Sequence, residues 1–313
     1  MRLGRLVARA PGARLWAAAS AALIWGCGQE APPKPPEAPP ASPPPPVVSA
    51  PTPVAGASAS AEPTAATKPQ PPTPTRPGVW PPAPITPPYD RTKKDGDGVF
   101  APLPVHGAKA DDSPIARTIL HPHPIRPFVI VELLAIDTSR VDVTLVAGTQ
   151  EPEGTGVPVE RRPGLVPERA RDKLIAVANG GFKKRHGQHG IVIGDDVLLE
   201  PKETDCVFAK HKADGRYLAQ TWKTLSARRA ELAWGRGTPP CLIEAGAKNP
   251  DLEGTYSARK WGGAEDGNKE IRRSAFGVGK DPSVLYFAIG DWVTAEWLTD
   301  ALVAAGVTGA AQL

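Results

Sequence analysis

The chain has 313 residues, 37 Lys and Arg against 33 Asp and Glu, and a formal charge of +4. Four of those cations, Arg2, Arg5, Arg9 and Arg14, precede residue 27 without an acidic neighbour, so residues 27–313 are formally neutral and offer no general electrostatic pull toward nucleic acid. Three cysteines and 39 prolines complete the frame, the latter far more than one folded domain takes.

The arginines open an N-terminal segment that continues as an apolar run over residues 15–25, too short for the roughly 20 residues that span a bilayer. The run ends on Trp25, Gly26 and Cys27, a small residue directly before a cysteine. This resembles the lipobox of bacterial lipoproteins, which implies a signal peptide over 1–26, acylation of the Cys27 thiol and a lipid bilayer as partner. The expected location is the cell envelope, lipid-anchored and facing the periplasm or the exterior. An ordinary secretory signal and an uncleaved anchor are the alternatives for the same residues.

Between residues 31 and 90 stand 23 prolines, interleaved with Ala, Ser and Thr. Such a composition buries too little apolar surface to offset chain entropy, and it predicts a disordered, polyproline-rich tether from Cys27 to about residue 110. At ~3.1 Å per residue the tether reaches on the order of 100 Å. A proline-rich ligand for a binding module is the other reading. His121, Pro122 and His123 are expected in an exposed approach segment.

The folded domain is expected over 111–313. Residues 128–137 form a β-rich apolar run and residues 141–146 alternate apolar with polar, which predicts two strands across a short turn. A short helix is predicted at 168–173, a buried strand at 174–178, and further strands at 190–193, 205–209 and 284–289. Thr294 can cap a longer helix whose apolar face carries Trp297, Leu298, Ala301 and Leu302, with Gly306 as its terminator. Few helices among many strands predict an α+β domain built on a mixed β-sheet. After Cys27 the cysteines are Cys206 and Cys241, an even pair in an oxidising compartment, which predicts one disulfide; two buried thiols are the alternative.

Two segments carry chemistry. Asn179, Gly180, Gly181 and Phe182 follow the predicted strand 174–178, and the glycines allow close approach of a ligand to backbone N–H groups; the same residues also suit an ordinary tight turn. Arg272, Arg273, Ser274, Ala275, Phe276 and Gly277 lead into another strand, where an arginine fork facing a cleft would take a phosphate and one on an exposed edge would be solvated. Between them Lys183, Lys184, Arg185, His186 and His189 form a basic loop, readable as a phosphate-binding lip or as a solvated face. His186 and His189 lack the helix and glutamate of a zinc-protease motif, and neither metal nor cofactor is expected.

Taken in order, the Asn-Gly-Gly-Phe turn, the Arg-Ser-Ala-Phe-Gly strand, the apolar strand and the helix ending Ala304, Ala305 and Gly306 resemble the phosphodiester glycosidase domain, the family of the mannose 6-phosphate uncovering enzyme. The resemblance covers roughly residues 129–313. It implies a cleft built from Asn179, Gly180 and Gly181, with Arg273 and Asn179 as catalytic residues and Gly180, Gly181, Lys183, Lys184 and His189 binding a sugar phosphodiester or envelope glycan. The family continues into a strand ending Leu-Asp-Gly-Gly-Gly-Ser. Here Ala310, Ala311, Gln312 and Leu313 occupy its beginning and the acidic turn is missing, so the expectation is either a truncated sequence or a member that binds without catalysis.

In such a reaction the C1–O bond of the sugar breaks and a phosphate monoester leaves with little protonation. The site then needs charge stabilisation on the phosphate more than a strong acid. A carboxylate near the reacting carbon is still expected, with Asp195, Asp196, Glu200, Glu203 and Asp205 as unranked candidates.

Overall fold

The computed structural model describes residues 78–253, 257–263 and 268–313. The expected signal, Cys27 and most of the expected tether lie outside them. Thirteen strands are described: β1 (Ala101–Pro102), β2 (Ile115–Leu120), β3 (Val131–Asp137), β4 (Ile191–Ile193), β5 (Asp196–Leu199), β6 (Cys206–His211), β7 (Tyr217–Thr221), β8 (Leu232–Thr238), β9 (Ile243–Glu244), β10 (Ala247–Lys248), β11 (Ile271–Gly279), β12 (Val284–Val293) and β13 (Val307–Gln312). The helices are α1 (Glu168–Arg171), α2 (Trp222–Leu225), α3 (Ser257–Trp261) and α4 (Ala295–Ala304). Predominance of strand over helix agrees with the α+β expectation.

One sheet has eight strands in the order β1-β2-β3-β12-β11-β13-β9-β10, and the other has five in the order β5-β4-β8-β6-β7. The described pairings are antiparallel. The near-continuous apolar run in β12 reflects a strand covered on both faces. Val284, Tyr286 and Ala288 pack with Leu298, Ala301 and Leu302 of α4, while Leu285 and Phe287 face the five-stranded sheet. In β11, Ala275 faces α4 and Phe276 stacks on Phe208 of β6, centroids 4.6 Å apart. The other face of β6, Val207 and Ala209, is covered by Trp222 and Leu225 of α2.

Helix α4 starts where the sequence predicts. The Thr294 hydroxyl accepts from Trp297 N at 3.2 Å, and the chain leaves the helix through Gly306 at φ +72°. Leu298 and Leu302 are fully buried, each contributing roughly 1.5–3 kcal/mol of transfer free energy. Cys206 and Cys241 form the expected disulfide, joining β6 to the segment that leads from β8 into β9 of the larger sheet.

Several expectations need correction. The folded unit starts well before residue 111: Trp80 and Ile85 pack against the core, Phe100 is buried in it, and β1 pairs with β2. Proline content hid this, because an extended segment laid on a sheet has the same composition as a free one. His121 and His123 are buried rather than exposed, His121 against Asp97 with Nδ1 2.8 Å from Oδ2. Residues 141–146 form no ladder, although Val141, Val143 and Leu145 do turn toward the inter-sheet core. The predicted buried strand at 174–178 is neither buried nor a strand, and Val177 is 70% exposed. Its apolar run joins neither sheet: β3, the strand before it in the chain, is already paired with β2 and β12, and β4, the strand after it, with β5 and β8.

Candidate functional site

The Asn-Gly-Gly turn is held from beneath by Arg236, in the middle of β8. Its Nε donates to the Gly180 carbonyl and Nη2 to the Phe182 carbonyl at 2.6 Å. Nη1 reaches the carbonyls of His189 at 3.0 Å, Gly190 at 3.1 Å and Gly237. Arg236 is 4% exposed, and burial lowers its pKa to about 10, with Asp205 acting in the opposite direction. It therefore keeps its charge at neutral pH, a cation solvated by main-chain dipoles.

This arrangement orients the turn. In a trans peptide the C=O and N–H point opposite ways, so drawing the Gly180 and Phe182 carbonyls onto Arg236 turns the N–H groups of Gly181 and Lys183 away from it. Gly181 N donates to the Asn179 side chain at 3.1 Å, which closes the turn. Gly181 itself adopts φ +93°, where a side chain would strain the backbone. With the Gly181 N–H engaged, the Lys183 N–H, which makes no hydrogen bond among the described residues, is the donor of this turn open to an anion.

His189 and Asp205 lie on the other side of the same guanidinium. His189 Nδ1 is 2.8 Å from Asp205 Oδ1, while Oδ2 accepts from Gly190 N at 3.0 Å and Lys202 N at 3.2 Å. The imidazole packs edge-on against Phe182 with centroids 5.4 Å apart. Gly237 permits this closeness: a Cβ there would stand 2.6 Å from Gly190 N and 2.9 Å from Asp205 Oδ2.

Arg273 is placed differently from the expectation. Its side chain is 3% exposed and its donors are engaged: Nε with Val293 O at 3.0 Å, Nη1 with Trp261 O at 2.7 Å and Gln312 Oε1 at 3.1 Å, Nη2 with Gly262 O at 2.8 Å and Lys269 O at 2.9 Å. Burial lowers its pKa to about 10. No N–H is left to grip a phosphate, so the free-fork reading is corrected. By strand alternation Arg273 shares the α4 face of β11 with Ala275, whereas Gly180 lies against Leu145 of the inter-sheet core. Among the described residues the two are linked through the end of β13, where Gln312 bonds Arg273 and the Leu313 main chain lies beside Gly181.

The basic loop is partly committed. Lys184 Nζ donates to Glu153 O at 2.7 Å, whereas the Lys183 side chain is exposed. An open hollow of about 430 Å³ is lined by Lys183, Lys184, Arg185 and Gln188 opposite Glu151 and Glu153. Of the carboxylate candidates, Asp205 is buried with both oxygens engaged, and Asp196 pairs with Arg161 at 2.7 Å. Asp195 and Asp196 stand at the end of β4 away from Gly190, and Glu200 and Glu203 are exposed.

Arg236 was missed from sequence, and β8 with it. The available signal was an arginine between two glycines in an otherwise apolar stretch, where only a buried partner set explains the charge. No family model and no curated protein matches the chain. Among solved structures, the zebrafish N-acetylglucosamine-1-phosphodiester α-N-acetylglucosaminidase catalytic domain, auto-inhibited by its pro-peptide, is similar at 11% identity and TM-score 0.41, over 69% of this chain and 76% of that one. A hypothetical protein from Synechocystis is similar at 12% identity and TM-score 0.38, over 59% and 53%. Neither score reaches the level at which a shared fold follows.

Proposed function

We propose that this protein is an envelope hydrolase, tethered by acylated Cys27, that cleaves the glycosidic bond of phosphate-linked sugars. The observation that carries the reading is the turn at Asn179, Gly180 and Gly181, which Arg236 holds by the Gly180 and Phe182 carbonyls so that the Lys183 N–H points away from the guanidinium beside the exposed Lys183 side chain. A phosphodiester received there would meet its developing charge with preorganised donors, the largest requirement when phosphate is the leaving group. Motif order along the chain supports the same reaction class. Arg273 then acts as a positioning residue, since it gathers the 261–262 segment, Lys269 and Gln312 at the end of β13.

The test is incubation of the full chain with a sugar 1-phosphodiester, following reducing sugar and phosphomonoester. Release of the two in equal amounts is the expected result. Binding of the diester without release would identify a non-catalytic envelope-binding protein instead, and neither binding nor release would remove the reading.

A further inference from the structure

We propose that His189 and Asp205 are the proton-transfer pair of this site, with Nε2 of His189 as the base that activates water. The inference rests on the hydrolase reading above and adds a residue to it.

The Asp205 carboxylate accepts from two backbone N–H groups through one oxygen, and its other oxygen faces His189 Nδ1. An ionised carboxylate only accepts, so Nδ1 carries the hydrogen and the lone pair of the neutral ring lies on Nε2. Nε2 makes no hydrogen bond among the described residues and is not fully enclosed. The side chains are 12% and 2% exposed, so the imidazole keeps some solvent contact while the carboxylate is sealed. Next to Nε2 stands Gly187, where any Cβ would run into that nitrogen.

Arg236 links the ring to the anion turn. The same guanidinium holds the carbonyls of Gly180 and Phe182 on one side and of His189 and Gly190 on the other. The base and the phosphate-receiving donors are therefore fixed to one rigid group, the preorganisation that proton transfer at a bound substrate needs.

The balanced step is as follows. Water forms a bond to C1 of the sugar as its proton passes to Nε2. The C1–O bond breaks and its electron pair stays on the phosphate oxygen, held by the turn. Asp205 stabilises the imidazolium, which then returns its proton to the phosphomonoester or to solvent.

The test uses the full chain and a sugar 1-phosphodiester, comparing wild type, His189→Ala and His189→Gln. The glutamine side chain keeps a polar amide of similar size without a basic nitrogen, so it guards against a folding defect, which near-UV circular dichroism checks. Both variants are expected to lose about 100-fold or more in kcat with a smaller change in KM. They are also expected to lose the fall in kcat/KM toward acid pH that an imidazole base produces. Added imidazole should restore part of the rate in His189→Ala. Rates within about tenfold of wild type and an unchanged pH profile in the folded glutamine variant would overturn the pair alone. A wild type that releases no sugar would overturn the hydrolase reading and the pair together.

Discussion

Arg236 of β8 donates through Nε to the carbonyl of Gly180, so a strand in the middle of the smaller sheet sets the conformation of a turn 56 residues earlier in the chain. The same fork reaches Phe182, His189, Gly190 and Gly237. Lysine keeps the charge but cannot serve carbonyls in several directions from one plane. Arg236→Lys is expected to lower stability by about 2–4 kcal/mol and to weaken phosphodiester binding at least tenfold. Urea unfolding and isothermal titration with a sugar phosphodiester check the two effects; unchanged binding in a destabilised variant would separate Arg236 from the site.

Arg273→Lys should behave as a core substitution. The fork spans Val293, Trp261, Gly262, Lys269 and Gln312, and a lysine leaves several of these acceptors unpaired at a cost of about 2–3 kcal/mol. Sequence alone predicts a phosphate ligand whose conservative replacement leaves folding intact. A clear drop in the urea midpoint decides for the structural role.

The Cys206–Cys241 disulfide closes a separation of 35 residues, and its half-cystines are 0% and 2% exposed. Opening it by a Cys206→Ala, Cys241→Ala double substitution should cost roughly 3–4 kcal/mol on the loop-entropy model. Intact mass before and after alkylation verifies the bond, and unfolding of the two proteins measures the loss.

His123 titrates against the fold. Burial, with Arg126 adding to it and Glu270 opposing, holds its pKa below the ordinary value, and the ring lies 4.4 Å from Trp297. A depressed folded pKa means the unfolded chain takes up a proton that the native state refuses. The stability from this group is therefore present above about pH 6.5 and declines as pH falls through that value. The urea midpoint of wild type should fall more between pH 7 and pH 5 than that of His123→Gln; equal slopes would show that the ring does not contribute.

Acylation of Cys27 predicts that Cys27→Ser moves the protein from the membrane fraction to the soluble one. Incorporation of radioactive palmitate into the parent and its loss in the variant give the direct check. Membrane retention of the variant, with no label in the parent, would remove the anchor.

What the sequence determined by itself was local. The apolar run of β12, the Thr294 cap and Gly306 stop of α4, and the even cysteine pair after residue 27 each can be read from neighbours a few residues away or from a simple count. The tertiary structure decided whatever depends on a distant partner. Residues 174–178 have the composition of a buried strand but pair with no strand and lie exposed, whereas the proline-rich stretch holding Trp80, Ile85 and Phe100 found a sheet to cover. Arg273 looks in sequence like a ligand fork, yet five acceptors from separate segments enclose it. Arg236 and the His189–Asp205 pair became visible only when β8 paired with both β4 and β6, which brings Gly190, Gly237 and Asp205 into contact. A charge's role is set by which groups share its desolvated space, and that space is created by strand pairing across tens of residues, beyond the reach of local periodicity.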